Sequence, residues 1–333
     1  MIQERRRNHY FIMAGLLVLA AFAVSIRVGQ YPLARGEIIA ILSGGEVPEI
    51  KRGVFYTLRL PRTVMALLAG LGLGMTGSVF QAIFKNPLAS PDVIGVASGA
   101  NLGAALAIVL FGHSTALIAS SAFAGGMLVV LAVIALARVT GQGSTMVYIL
   151  AGIIMKAVSE AFIMILKFFA DPEKQLAAIE YWSMGSLSSI TAAKLLAVLP
   201  IFLAGFIGLL LMRRQVFLLG LEEDESRALG VRVGLVRLAV LGLATLTVAS
   251  VICLTGLISF AGLIAPHVAR LALKRISFAW CLLSSLAGAF ILLLSDSLAR
   301  SLYTAEIPVS IFTTFIGVPF LVWFMWKRKA EKA

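Results

Sequence analysis

Charged residues make up 13% of this 333-residue chain, against roughly 25% in a soluble domain. That scarcity excludes an ordinary water-soluble fold. Cysteine occurs twice, at Cys253 and Cys281, both inside apolar runs and without CxxC spacing. The count excludes a disulfide framework and a thiolate metal site, so both read as packing residues. Histidine occurs three times. His267, directly after Pro266, has no second His, Asp or Glu at ligand spacing, so no metal centre is expected there. No GxxxxGK[ST] phosphate loop occurs. Nothing here cradles nucleotide phosphates, and the chain does not hydrolyse ATP itself.

What is present is apolar sequence. Hydrophobic residues reach 60%, the composition of a polytopic membrane protein. A bilayer core takes about 20 apolar residues per helix. That rule places spans near 10–30, 63–83, 93–112, 115–137, 146–168, 190–212, 235–255, 257–272, 279–298 and 307–326. The expected fold is all-α, one transmembrane domain over 1–333 with about ten transmembrane helices. The eighth span is short and holds Pro266 and His267, so a tilt or break is expected. The N-terminal run is too long for a signal peptide and lacks a small-x-small cleavage site, so it reads as the first helix. The net charge of +12 fits lipid headgroups and orientation rather than nucleic acid. With the N-terminus inside, more basic residues fall on the cytosolic side, so both termini are expected there. An external surplus of arginine is left over.

One stretch differs from the rest. Residues 213–237, RRQVFLLGLEEDESRALGVRVGLVR, set four acids between two amphipathic pieces, on the cytosolic side in this orientation. Residues 222–229 can form about two helical turns, the acids at the N-terminus where the helix dipole favours them, with Gly230 as a stop. A second short helix fits Val216, Phe217, Leu218 and Leu219. A plain solvated loop has no need of the apolar set Phe217, Leu218, Leu221, Ala228 and Leu229, so docking to a cytosolic partner is the better reading.

Other features carry less. Gly70 and Gly74, then Gly95, Gly99 and Gly103, have the GxxxG spacing of close helix packing. The segment 171–191 is too polar to span, and its Tyr181 and Trp182 suit an interface. Arg59 and Arg62 bracket Pro61 at one external helix end and Arg300 stands at another. Such arginines suit bidentate pairing with an acidic docking surface, or equally lipid headgroups. Lys156 and Glu160 stand at i, i+4 within the fifth span, as a structural pair or a functional one. LSGGE at 42–46 resembles the LSGGQ signature of ATP-binding cassette ATPases, but without a phosphate loop it reads as chance.

Several segments then occur in order: RLPR at 59–62, QAIFKNPLASPDVIGVASGA at 81–100, LGLEEDESRALGV at 219–231, GLISFAGLIAPHVARL at 256–271 and SDSLAR at 295–300. Together they resemble the FecCD-type permease family, the membrane subunits of ABC importers for iron–siderophore, haem and cobalamin. The resemblance covers nearly the whole chain. It implies a permease of the bacterial cytoplasmic (inner) membrane, with no cofactor of its own. It implies a second permease subunit (a copy or a related chain), a cytosolic ATPase dimer that binds ATP-Mg, and an extracytoplasmic substrate-binding protein. It places Leu221, Glu222, Glu223, Asp224, Arg227, Ala228, Leu229 and Gly230 in coupling helices between the sixth and seventh spans. It places Arg59, Arg62 and Arg300 where acidic residues of the binding protein dock, and Asn86, Leu88, Ser144 and Thr145 in cytosolic gate loops. Iron(III)-siderophore is the expected cargo, with haem or cobalamin as alternatives. From the residues alone a proton- or sodium-driven transporter with Lys156 and Glu160 as relay stays open. A membrane enzyme built on Glu160 and His267 lacks the paired ligands it needs.

Overall fold

Backbone in lipid has no water to satisfy its N–H and C=O groups, so the apolar runs must close their hydrogen bonds internally. They do so as helices in the computed structural model, which describes residues 2–31, 33–112, 114–140 and 145–330. The order is α1 (Ile2–Arg27), α2 (Arg35–Ser43), α3 (Glu49–Gly53), α4 (Leu60–Ile83), α5 (Val96–Phe111), α6 (Thr115–Val139), α7 (Thr145–Phe169), α8 (Ala177–Ser183), α9 (Ala192–Leu211), α10 (Arg213–Leu219), α11 (Glu223–Ala228), α12 (Val233–Thr255), α13 (Ala261–Ala272), α14 (Phe278–Ala299) and α15 (Val309–Ala330). Among the described residues, eight helical stretches are long and apolar enough to cross a membrane. The 16-residue α5 and the 12-residue α13 occupy the third and eighth positions. The expected all-α bundle is present.

Burial sorts the helices into a centre and a rim. The apolar windows of α4, α12 and α14 are 78%, 67% and 61% buried, whereas those of α1, α6, α7, α9 and α15 are 17–28% buried. Small residues set the centre. A Cβ at Gly70 would lie 2.5 Å from the Gly288 carbonyl, and one at Gly74 would lie 2.2 Å from that of Ser284, so α4 and α14 approach backbone to backbone. Gly99 and Gly103 bring α5 equally close to α6. In lipid such contact supplies the dispersion attraction that replaces a hydrophobic driving force.

Two spans are irregular. The second begins at Glu49 rather than 63, and one helical stretch runs from Glu49 to Ile83. The stretch before 63 holds Lys51, Arg52 and Arg59, so a count of apolar residues does not extend the span there. Pro61 read as a helix start, but the register loosens to π geometry over Val54–Arg59 just before the residue that cannot donate. The eighth is short and irregular, but the interruption precedes α13, which runs unbroken through Pro266 and His267. Residues 256–260 are not helical, and Phe260 takes a φ of 62°. Ser310 on α15 holds the break, its hydroxyl donating to the Leu257 carbonyl at 2.7 Å and accepting from the Ser259 amide at 3.3 Å. The polar segment before α9 tucks in beside it, the Ser186 amide donating to the Thr255 carbonyl at 2.7 Å. Trp182 is half-buried there, packed against the core.

Candidate functional site

The acidic segment folds as two short helices, α10 and α11, at the end of the bundle where α12 begins. In α10, Val216 and Leu219 are buried against the bundle while Phe217 is exposed. In α11, Glu222 and Glu225 close a capping box, the reciprocal arrangement that satisfies free amides at a helix start. Gly230 follows with a φ of 79°, the left-handed stop its position predicts. Ser226 is buried and donates to the Leu218 carbonyl at 2.6 Å, joining the two helices. Leu229 is 62% exposed; Ala228 and Gly230 are exposed beside it and Leu221 is half-buried.

Charge fastens this module to the bundle. Lys85 at the end of α4 pairs with Glu222 at 3.0 Å. Glu223 receives Arg227 at 2.7 Å and the buried Arg237 of α12 at 3.2 Å. Burial acts to raise the Glu223 carboxyl, but the hydrogen bonds and charges of Arg237 and Arg227 outweigh it and hold the group below the ordinary value of 4.5. The Arg237 guanidinium also lies over the Tyr148 ring, 5.8 Å from its centroid. One arginine thus joins α11 to the start of α7, three residues past Thr145, which opens that helix. Lys85 leads into the loop of Asn86 and Leu88. Asn86 caps that loop by accepting from the Leu88 amide at 2.9 Å, and Leu88 is 64% exposed. Ser144 lies outside the described residues. Arg237 and Lys85 are the functional candidates missed from sequence, where they counted only as orientation charges.

Helix α4 carries Arg62 at its other end, roughly 30 Å from Ile83 at 1.5 Å rise per residue. The arginines there do not form an outward-facing ring. Arg59, Arg62 and Arg300 are 6%, 7% and 2% exposed. Their burial is made possible by acids within the chain. Arg62 donates from Nε to Asp296 at 2.8 Å and from Nη1 to Glu306 at 2.7 Å. Arg300 lies 3.3 Å from the other Asp296 oxygen and donates to the Ser25 carbonyl at 2.6 Å. Arg59 donates to the carbonyls of Val28 and Tyr31; only a glycine at 29, with a φ of 146°, leaves room for its guanidinium. The cluster borders a cavity of about 280 Å³, and Arg300 Nε and Nη1 are buried there without a hydrogen-bond partner.

Between the two ends, Lys156 and Glu160 pair at 3.7 Å on α7 and open onto a cleft of about 340 Å³. His267 is buried, its Nδ1 2.8 Å from the Leu263 carbonyl and its ring edge-on to Phe324. No group of three or more metal-ligating side chains occurs among the described residues. The LSGGE segment forms the end of α2 and the turn after it.

Known proteins share this whole architecture. The chain is 35% identical over 318 residues to the molybdate import system permease of Haemophilus influenzae, covering 94% of each. It is 36% identical over 340 positions to the ferric enterobactin transport system permease of Escherichia coli, covering 100% of each. Its fold matches a solved structure presented as an inward-facing transporter of the metal-chelate ABC type, at a TM-score of 0.85 and 34% identity, over 95% of this chain and 98% of the other. The model of the FecCD transport family matches residues 16–327, and the chain belongs to that family.

Proposed function

We propose that this chain is the membrane-spanning permease subunit of an ATP-driven importer for an iron(III)-siderophore chelate. The observation that carries the reading is the α10–α11 module. It is a capped and ion-paired surface with Ala228 and Leu229 facing out, in a chain that has no phosphate loop of its own. A partner must supply ATP chemistry, and this surface is where it would push. When the ATPase dimer closes, α11 moves as a body. Arg237 and Lys85 pass that motion to the start of α7 and the end of α4, which carry Thr145, Asn86 and Leu88. A displacement of packed helices at that end opens or closes the path, and no covalent step in this chain is needed.

The orientation follows from the same assignment. The α11 end and both termini face the cytosol of a bacterial inner membrane, and the Arg62 end faces outwards. There an acidic residue of a binding protein would enter the cavity beside Arg59, Arg62 and Arg300, where two guanidinium donors await an acceptor. A second permease subunit completes the path. The iron-chelate cargo is supported by the enterobactin relative and the metal-chelate structural match, both of which span nearly all of this chain.

Replacing Ala228 or Leu229 with Glu tests the reading. Co-purification of an ATPase and uptake of radio-iron as its siderophore complex should both be lost, with membrane insertion unchanged. An intact ATPase complex in both variants overturns the assignment of this surface.

A further inference from the structure

Helices α1, α13, α14 and α15 wall a groove of about 500 Å³ whose lining is apolar save for the Tyr10 hydroxyl. Met13, Leu17 and Leu271 in its walls stay exposed, so the groove opens on the outside of the chain. An apolar recess holds no ordered water and takes hydrocarbon. One end of it is marked by charge. The Ser25 carbonyl of α1 receives Arg300, and the Ile307 amide ahead of α15 donates to Ala299. The starts of α1 and α14 and the end of α15 therefore lie together at the opposite end of the bundle. On α1 the groove is lined from Tyr10 to Leu17. Arg6 and Arg7 precede Tyr10 by four and three positions, which sets both on its face one turn beyond the groove. On α13 the lining ends at Leu271 and Ala272, and Lys274 and Arg275 follow directly. On α15, Lys327 stands seven positions past the lining residue Phe320 and so on the same face, its Nζ 5.4 Å from the centroid of the Trp323 ring.

All five basic residues are exposed, and none is in an ion pair among the described residues. Setting the orientation of the chain needs basic residues at one end of the bundle. It does not need three elements to present them past the same apolar groove. The occupant that answers both features carries hydrocarbon and negative charge in one molecule. A second copy of the chain does not: it would share this orientation in the bilayer and bring its own basic end against this one, like charge on like. We propose that the groove is a binding site for an anionic phospholipid, one acyl chain lying between α1 and α14 and the phosphate held by Arg6, Arg7, Lys274, Arg275 and Lys327. Charge-assisted hydrogen bonds to phosphate suit both residue types, and basic pockets between membrane helices take anionic headgroups. Such a lipid would brace α1, whose apolar window is only 17% buried. The site goes beyond the importer reading and needs none of it; only the leaflet in which the lipid sits follows from the orientation proposed there.

The test is photo-crosslinking. The full-length chain is placed in phosphatidylcholine nanodiscs with a trace of phosphatidylglycerol or phosphatidylethanolamine, each bearing the same diazirine-labelled acyl chain. After photolysis the labelled peptides are mapped by mass spectrometry. Groove peptides of α1 and α14 should take the phosphatidylglycerol label in excess of the phosphatidylethanolamine label by about fivefold or more. The α6 surface around Leu128 and Leu131, exposed and apolar, should take the two equally. Arg6→Gln with Lys274→Gln and Lys327→Gln alters exposed side chains only and should reduce the groove's preference to that of α6. Arg6→Lys with Arg275→Lys keeps the charge and should keep the preference. Ala287→Phe, which fills the groove from α14, should lower labelling there by both lipids. Equal labelling of the groove by the two lipids, or a preference that survives the glutamine variant, overturns the proposal. Unlabelled groove peptides together with a crosslinked dimer would give the groove to a second copy and overturn it as well.

Discussion

Both ends of the bundle hold an acid and an arginine one helical turn apart, yet the two pairs live in opposite surroundings. At one end Asp296 and Arg300 are 0% and 2% exposed on their side chains; at the other Glu223 and Arg227 are 32% and 65% exposed. The same i, i+4 chemistry is structural in the first place and adjustable in the second. Buried charge is held by the desolvation that any vacancy would leave unpaired, whereas the exposed pair is screened and worth little by itself. The arginine end is therefore locked, tying α1, α4 and α14 together through Ser25, Arg62 and Arg300 around Asp296. The acidic end is a surface fastened by a few separable ties.

The sharpest way to break that contrast is to remove Asp296. Asp296→Ala leaves Arg62 with Glu306 and deprives Arg300 of the carboxylate it pairs with. A loss of about 3–5 kcal/mol is expected, read as a marked fall in the detergent-solubilised melting temperature. A melting temperature close to the wild-type value would show that the arginine end is not locked as described. Arg237→Leu is the intermediate case. It removes the buried partner of Glu223 and the cation over Tyr148, which should lower stability by about 1.5–3 kcal/mol. Because α11 keeps its exposed face, the ATPase should still bind while uptake falls. Uptake and ATPase binding that decline together would place Arg237 in the docking surface and not in the tie behind it.

Much of this was legible in advance. Apolar runs of membrane length mark the eight long helices, and four consecutive acids before Gly230 mark α11, because caps and stops are local chemistry. What escaped notice depended on distant partners. Arg62 meets Asp296 and Glu306 across sequence separations of 234 and 244, so three arginines at external helix ends read as exposed. SDSLAR did contain the hint, since Asp296 stands one turn before Arg300. The extension of the second span to Glu49 was missed for a related reason. Its lysine and arginines are received by Glu37, the Gly45 carbonyl, Asp296 and the carbonyls of Val28 and Tyr31, partners that no local pattern reveals.

The smallest effect should come from Arg227, and it sharpens the comparison most cleanly. Arg227→Ala deletes the exposed partner of Glu223 and leaves the buried one, so the stability change at neutral pH should stay within about 1 kcal/mol. The pH dependence carries the sign. The Glu223 carboxyl titrates below its ordinary value of 4.5 in the folded chain, so it stabilises the fold above that value and ceases to do so as pH falls through its lowered pKa. Losing Arg227 removes one of the causes of that depression and should move the acid limb of the stability profile upward in pH. In Arg237→Leu the same limb should move further, because Arg237 ranks ahead of Arg227 among the influences that lower Glu223. A larger acid shift in Arg227→Ala than in Arg237→Leu would mean that the exposed pair, not the buried tie, fixes α11.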